Sequence, residues 1–299
     1  DHPNILEALG NAQSYIESIS YVSETADRSV LDQENELVPG EEQRYIEVSF
    51  ATSLIGELLA SANIPLWDSN RPSVLVWMVL QNSEGERTML TPETNSRIIA
   101  FIQSFADERA IPIIFPVLDF EDRQNLSEDT VWSLDKEGIM KASERYSADS
   151  ILSGRLHFAA TDQFVGLWQF IFQDDAIIFD GFEETLEAYL YGPLDRVTNQ
   201  LATYFGIVPE GDIQQTVRLR VEGIRSLSAY AAMLSYINGL GVVDRVNTVF
   251  LDGERLELEL DLVGDSDQLF ELITLDRDLL PIESSQVGGR GVLHYRWTR

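Results

Sequence analysis

The chain begins with apolar residues at a helical interval: Ile5, Leu6, Leu9 and the stretch Ala12 to Ile16, behind Asn4 in the place of an N-cap. Tyr21 and Val22 read as a short strand, and residues 27–44, rich in acids and broken by Pro39 and Gly40, as an exposed loop. From Tyr45 to Ala51 the pattern alternates, with Ile46, Val48 and Phe50 on one face. Leu54, Ile55, Leu58 and Leu59 then form the stripe of a helix capped by Thr52 or Ser53.

Farther along, strand and helix alternate. Val74 to Leu80 is a continuous apolar run, the pattern of a strand buried on both faces. Ile98, Ile99, Ile102 and Phe105 mark a helix over residues 93–109. Ile111 to Leu118 is the next strand, which Pro112 and Pro116 push toward an edge or a bulge. Ser127, followed by Glu128 and Asp129, starts a helix, and Ile139, Met140, Ala142, Ser143 and Tyr146 continue helical structure up to the strand Ser150 to Leu156. Val165 to Phe172 and Ala176 to Phe182 alternate as two strands of a hairpin turning at Asp174-Asp175. Pro193 takes the first position of a helix over Leu194 to Phe205.

Gly206 to Asp212, with Pro209, Gly211 and two acids, is the best linker in the chain. A βαββαβ pattern follows it. Thr216 to Val221 is a strand, Leu227 to Leu240 a helix closed by Gly239 and Gly241, and Val242 to Phe250 a strand. Asp252-Gly253 turns the chain into a strictly alternating Leu256, Leu258, Leu260 and Leu262. Asp265 caps a helix through Ile273, and Gly291 to Trp297 closes as a strand. This is the ferredoxin-like order. The fold class is therefore expected to be α/β and α+β, a mixed-sheet α/β domain followed by a C-terminal ferredoxin-like domain. Three parts are expected: an N-terminal α/β segment over 1–72 packed on the next, a mixed α/β domain over 73–207, and the ferredoxin-like domain over 213–299.

Charge changes this picture more than length does. Among 299 residues, 50 Asp and Glu against 21 Lys and Arg leave a net charge of −29. Such a surface repels a phosphate backbone, so nucleic acid and anionic membranes are not expected as partners. Only Lys136 and Lys141 are lysines, a composition suited to high or marine salt, and equally one that drift in an acidic proteome produces. The absence of cysteine removes disulfides, thiolate nucleophiles, Cys-rich zinc sites and iron–sulfur clusters. The longest apolar stretch, Ser73 to Leu80, is far short of the ~20 residues of a membrane span. The opening Asp1-His2-Pro3 carries no basic or apolar leader, which leaves a cytosolic protein or a processed one.

Asp119-Phe120-Glu121-Asp122 is the sharpest cluster that could carry chemistry, placed at the C-terminal end of the strand from Ile111, where open α/β sheets bind ligands. Asp119, Glu121 and Asp122 offer hard oxygen ligands suited to magnesium or calcium, and a solvated loop is the plainer reading in so acidic a chain. His2 sits at the terminus, and His157 and His294 lie in strands; neither an H-E-x-x-H nor a G-x-S-x-G motif occurs. Gly239-Leu240-Gly241 follows a helix and has Asp244 where a dinucleotide fingerprint needs glycine, so helix capping explains it. Gly288-Gly289-Arg290-Gly291 reads as a flexible turn. Trp67 and Trp77 flank Pro65 to Pro72, where Arg71 can pair with Asp68 or lie against an indole.

Three blocks carry a family resemblance. Ile64-Pro65-Leu66-Trp67, Asn70-Arg71-Pro72 and Leu75-Val76-Trp77 form the first. Pro116 to Asp119 with Glu121-Asp122-Arg123 is the second, and Ala142-Ser143, Arg145-Tyr146, Ala148-Asp149, Leu152 and Gly154-Arg155-Leu156 the third. Together they resemble the domain-of-unknown-function 2066 family of bacterial, mostly gammaproteobacterial, envelope proteins. The middle domain is also similar in pattern to the N-terminal α/β domain of the periplasmic Tol protein and to lipoprotein activators of penicillin-binding proteins. The resemblance implies a periplasmic or envelope location and, since that family has no assigned activity, no catalytic residue. The expectation is a non-catalytic accessory protein of the cell envelope, without a cofactor, that acts on another envelope protein. The alternative is a cation-dependent hydrolase or small-ligand binder using Asp119, Glu121 and Asp122.

Overall fold

A computed structural model of the chain describes residues 2–25, 42–67, 70–91, 95–158, 163–173, 175–207, 215–264, 266–275, 278–282 and 292–298. Most of the loop expected at 27–44 lies outside them, as do Asp68, Asp174, residues 208–212 of the linker, Asp265 and Gly288 to Gly291. The chain divides after Leu66 into two compact units.

In the first unit, α1 (Pro3–Gly10) is capped by His2, whose Nδ1 accepts the Asn4 N–H at 3.3 Å. Asn4, expected as the cap, lies inside the helix, and its amide donates to Ser61 Oγ at 3.1 Å. A 3-10 turn at Ala12–Tyr15 leads into β1 (Ile16–Thr25), which pairs antiparallel with β2 (Glu42–Phe50). The strand expected only at Tyr21 and Val22 is thus ten residues long. α2 (Thr52–Ser61) starts one residue earlier than expected, with Ala51 in the cap position and no side-chain hydrogen bond there. Among the described hydrophobic residues of this unit only Ala8 and Ala62 are buried.

The second unit is built on β3 (Val74–Gln81), whose residues Val74 to Val79 are at most 2% exposed, as a strand covered on both faces requires. It lies between β4 (Arg87–Met89) and β6 (Ser150–Phe158), and the sheet continues through β7 (Phe164–Phe172) to β8 (Asp175–Glu183). β3 and β6 are parallel, and β6, β7 and β8 form an antiparallel meander. The strand expected from Ile111 shrinks to β5 (Ile113–Ile114), paired with the start of β3, because Pro112 and Pro116 on either side donate no N–H. On one face, Val74, Val76 and Met78 pack with α3 (Ser96–Arg109) and α7 (Leu186–Phe205). On the other, Leu75, Trp77 and Val79 meet Leu118 and Leu126 on either side of α4 (Phe120–Asn125) and side chains from α5 (Glu128–Trp132) and α6 (Lys136–Ser143).

α7 corrects a sequence expectation. Pro193 lies within a helix of 20 residues whose cap is Thr185, accepting the Ala188 N–H at 3.2 Å. An interior proline costs ~3 kcal/mol. Burial outweighs it: Tyr189, Leu190, Leu194, Val197, Leu201 and Phe205 are all buried, at ~1.5–3 kcal/mol for each large apolar side chain.

The remainder of the unit holds β9 (Gln215–Glu222), α8 (Leu227–Gly239), β10 (Val243–Asp252), β11 (Arg255–Leu262), α9 (Ser266–Leu275), β12 (Leu279–Pro281) and β13 (Leu293–Trp297). The sheet order β10-β11-β9-β13 is the ferredoxin-like one, with Leu256, Leu258, Leu260 and Leu262 fully buried. A further strand corrects the expectation: β12 takes the outer edge, so the chain turns back and β13 runs parallel to β9, where a ferredoxin-like sheet has this pair antiparallel. A single apolar core joins this module to the α3 and α7 face of the first sheet.

Candidate functional site

Asp119 ends a tight passage rather than a long strand. Leu118 adopts a left-handed backbone (φ 53°), a conformation that costs a non-glycine residue energy and that neighbouring groups must hold. Two such groups do so: the Asp122 carboxylate accepts the Leu118 N–H at 2.9 Å, and Arg123 Nε donates to the Leu118 carbonyl at 2.9 Å. Asp119 then caps α4, accepting the Asp122 N–H at 3.0 Å.

The carboxylates converge on a protein cation. Arg145, in the 3-10 turn Glu144–Tyr146, donates to both oxygens of Asp119 at 2.8 and 2.9 Å and to Asp122 at 3.0 Å. Glu121 stands 3.6 Å from the same guanidinium. The neighbourhood expected to be exposed is not uniformly so, since Asp122 is only 1% exposed. Tyr146 donates its O–H to Asp122 and accepts the Val117 N–H at 2.9 Å. Hydrogen bonds from Arg145 and from the Asp122 N–H hold the Asp119 carboxyl well below its usual range. Burial, reinforced by Asp122, pushes the Tyr146 hydroxyl up to about 12.

This arrangement is a latch between α4 and the turn after α6. Asp119 is a weak base, and the Asp122 oxygens face three protein donors. A divalent cation between the acids would have to displace the Arg145 guanidinium. Among the described residues no group of three or more His, Asp and Glu side chains stands as a metal-holding set.

Trp77 of the first block and Ser143 and Tyr146 of the third pack beside this point. Trp77 from the first donates Nε1 to Ser143 Oγ at 2.9 Å and presents its ring edge-on to Tyr146. Asp149 of the third accepts from the Ser73 N–H and hydroxyl, both at 2.7 Å, fixing the starts of β3 and β6 together. Arg145 and Tyr146, the groups that decide what the acids do, stood in the sequence as part of a family motif and, for Tyr146, of a helical pattern, with nothing that tied either to the acids.

The other singled-out residues hold structure. Arg71 lies over the Trp67 ring at 4.8 Å and donates to the Arg109 carbonyl. His157 lies beside Trp132, and His294 Nε2 is 3.1 Å from Glu222. Gly239 ends α8, with Leu240 at the cap.

Concave surfaces are not visible in the sequence pattern. In the first unit an apolar groove of about 360 Å³ opens between α1 and α2, lined by Ile5, Leu9, Tyr15, Phe50, Ile55 and Leu58 among others. In the C-terminal module a polar cleft of about 690 Å³ lies at the start of α8, where Arg225, Arg255 and Arg296 face Glu222, Asp252 and Glu254. Among the described residues no helix is long and apolar enough to cross a membrane.

No family model and no curated protein matches the chain. Among solved structures, the lipoprotein GNA1162 from Neisseria meningitidis is 14% identical over 44% of this chain and 99% of its own, with a TM-score of 0.24. A second structure, of an uncharacterized protein, is 9% identical over 45% of this chain and 90% of its own, with a TM-score of 0.18.

Proposed function

We propose that the chain is a non-catalytic accessory protein of the bacterial cell envelope that works by binding another envelope protein. The observation that carries the binding role is the apolar surface of the first unit. Ile19, Tyr21, Ile46, Val48 and Phe50 are exposed on the β1–β2 ribbon, and Leu6 and Leu9 on α1 beside the apolar groove. A two-stranded ribbon is marginal by itself in water, and apolar patches of this kind mark sites of protein contact. The location rests on the sequence resemblance. The ion-paired state of Asp119, Glu121 and Asp122 favours this reading over the hydrolase, which needs a carboxylate free to take a proton or a cation. In this reading the α/β part over 73–207 and the ferredoxin-like part over 213–299 are further presenting surfaces.

The test is site-specific photocrosslinking from Ile46 and Val48 in cells, combined with fractionation. A discrete adduct in the envelope fraction, lost in Ile46→Glu, is expected, with in-cell function unchanged in a folded Glu121→Ala variant. A purely cytosolic protein, or metal-dependent turnover abolished by Asp122→Ala in a folded protein, would overturn the proposal.

A further inference from the structure

β8 ends the six-stranded sheet, and among the described residues no strand pairs with its outer edge. Its nine residues run in unbroken register against β7. Exposed edges are usually blunted by a bulge, a proline or charged side chains; β8 has neither bulge nor proline, and its charges are all acidic, which discourages an acidic strand but not a cationic one. Its backbone therefore offers a row of N–H and C=O groups to an added strand.

The side chains say which strand. α7 covers one face of β8, where Phe179 is buried beneath the Arg196 guanidinium and Gly181 lies against the Tyr189 ring. The other face stays open: Ile178 is 56% and Phe182 58% exposed, beside half-buried Leu167 and Val165 of β7. All charges on β8 are negative, at Asp175, Asp180 and Glu183. Where the strand ends, Phe182, Glu183, Glu184, Thr185 and Gln163 line a cleft of about 390 Å³, with two carboxylates beside an aromatic ring. A lysine or arginine side chain fits that chemistry.

A second copy of this chain does not. Antiparallel pairing of two β8 strands centred on Phe179 sets Asp175 opposite Glu183, and pairing centred on Asp180 sets that acid opposite itself; registers that keep the acids apart, such as one centred on Ile178, give none of them a cationic partner. Like charges directly opposite destabilise a strand pair, and a net charge of −29 on each copy adds repulsion.

We propose that β8 is a docking edge that pairs with an extended segment of another protein in which apolar residues alternate with lysine or arginine. This rests on the reading of the chain as an interaction protein and gives that reading a partner class. The backbone supplies affinity, Ile178 and Phe182 receive the apolar positions, and Asp175 and Glu183, on the alternate face at the two ends of the strand, select the cationic ones.

The experiment is amide hydrogen exchange on the full chain with a peptide of about eight residues alternating Lys and Val, matched to strand length. Exchange in β8 is expected to slow about tenfold at saturating peptide. A Glu and Val peptide should give no protection. Asp175→Lys with Glu183→Lys should abolish it, whereas Asp107→Lys with Glu108→Lys, the same charge change on α3, should not. Circular dichroism checks that each variant folds, and the wild-type peptide pair decides the question if one does not. Unprotected β8, equal protection by both peptides, equal loss in both variants, or protection that rises with protein concentration alone would each overturn the proposal. If β8 stays unprotected while the β1–β2 crosslinks form, the edge assignment fails and the interaction reading stands.

Discussion

Asp122 accepts from the Leu118 N–H, the Tyr146 hydroxyl and the Arg145 guanidinium while almost wholly buried. Asp122→Ala therefore strands the buried Leu118 N–H and releases the left-handed turn at Leu118. A loss of ~1–3 kcal/mol is expected in urea unfolding, with the fold retained. Asp119 adds a pH dependence of definite sign. Its folded pKa lies below the unfolded value of about 3.8, so its contribution is present above that pH and disappears as pH falls through the folded value. Arg145→Met should lower the melting temperature at neutral pH, and the gap to wild type should narrow below about pH 4. A gap unchanged down to strong acid would mean that the ion pair is not its source. The acids were legible in the sequence as a cluster, but their partner lies 26 residues farther on, a distance that no local spacing rule spans.

Elements were legible where periodicity was strong and unbroken. Val74 to Leu80, the hairpin at Asp252-Gly253 and the four alternating leucines after it fold as their patterns indicate. Misreadings came where a local signal competed with packing. Pro193 is a fair helix start in isolation, but α7 extends seven residues ahead of it, and its buried stripe, from Tyr189 and Leu190 onward, outweighs the proline. β12 is three residues long, too short to show a period. Two glycines test the balance between backbone and packing. Gly56 lies in α2 with open space where a Cβ would be, so Gly56→Ala should stabilise by ~0.5–1 kcal/mol. Gly166 lies in β7 where a Cβ would come within 1.8 Å of the Arg155 carbonyl oxygen and 2.3 Å of the Tyr189 hydroxyl. Gly166→Ala should cost ~3 kcal/mol or more, because neither backbone nor buried ring can retreat. Thermal melts of the two variants should shift in opposite directions; a shared direction would contradict the packing assigned to the β7–α7 contact.

At the scale of the whole molecule, charge and core are unevenly matched. The second unit carries nearly all of the buried apolar surface, and the chain as a whole carries −29. The few cations are spent locally: Arg87 on Asp129, Arg97 on Glu187, Arg109 on Asp195, Arg220 on Glu257. Each such exposed or half-exposed pair contributes ~0–1 kcal/mol, too little to offset repulsion among the excess acids. That repulsion acts over the Debye length, ~30 Å at 0.01 M salt and ~8 Å at physiological strength. Over the longer range the acids repel across much of a domain, and over the shorter one they act only on neighbours. Sodium chloride should therefore raise the melting temperature steeply from about 0.01 M to about 0.15 M and then level off. The same rise should appear with potassium chloride, since screening depends on ionic strength and not on cation identity. A flat or falling curve would show that the compact state does not feel its own charge, and a jump confined to magnesium or calcium would return the acids at Asp119, Glu121 and Asp122 to the role of cation ligands.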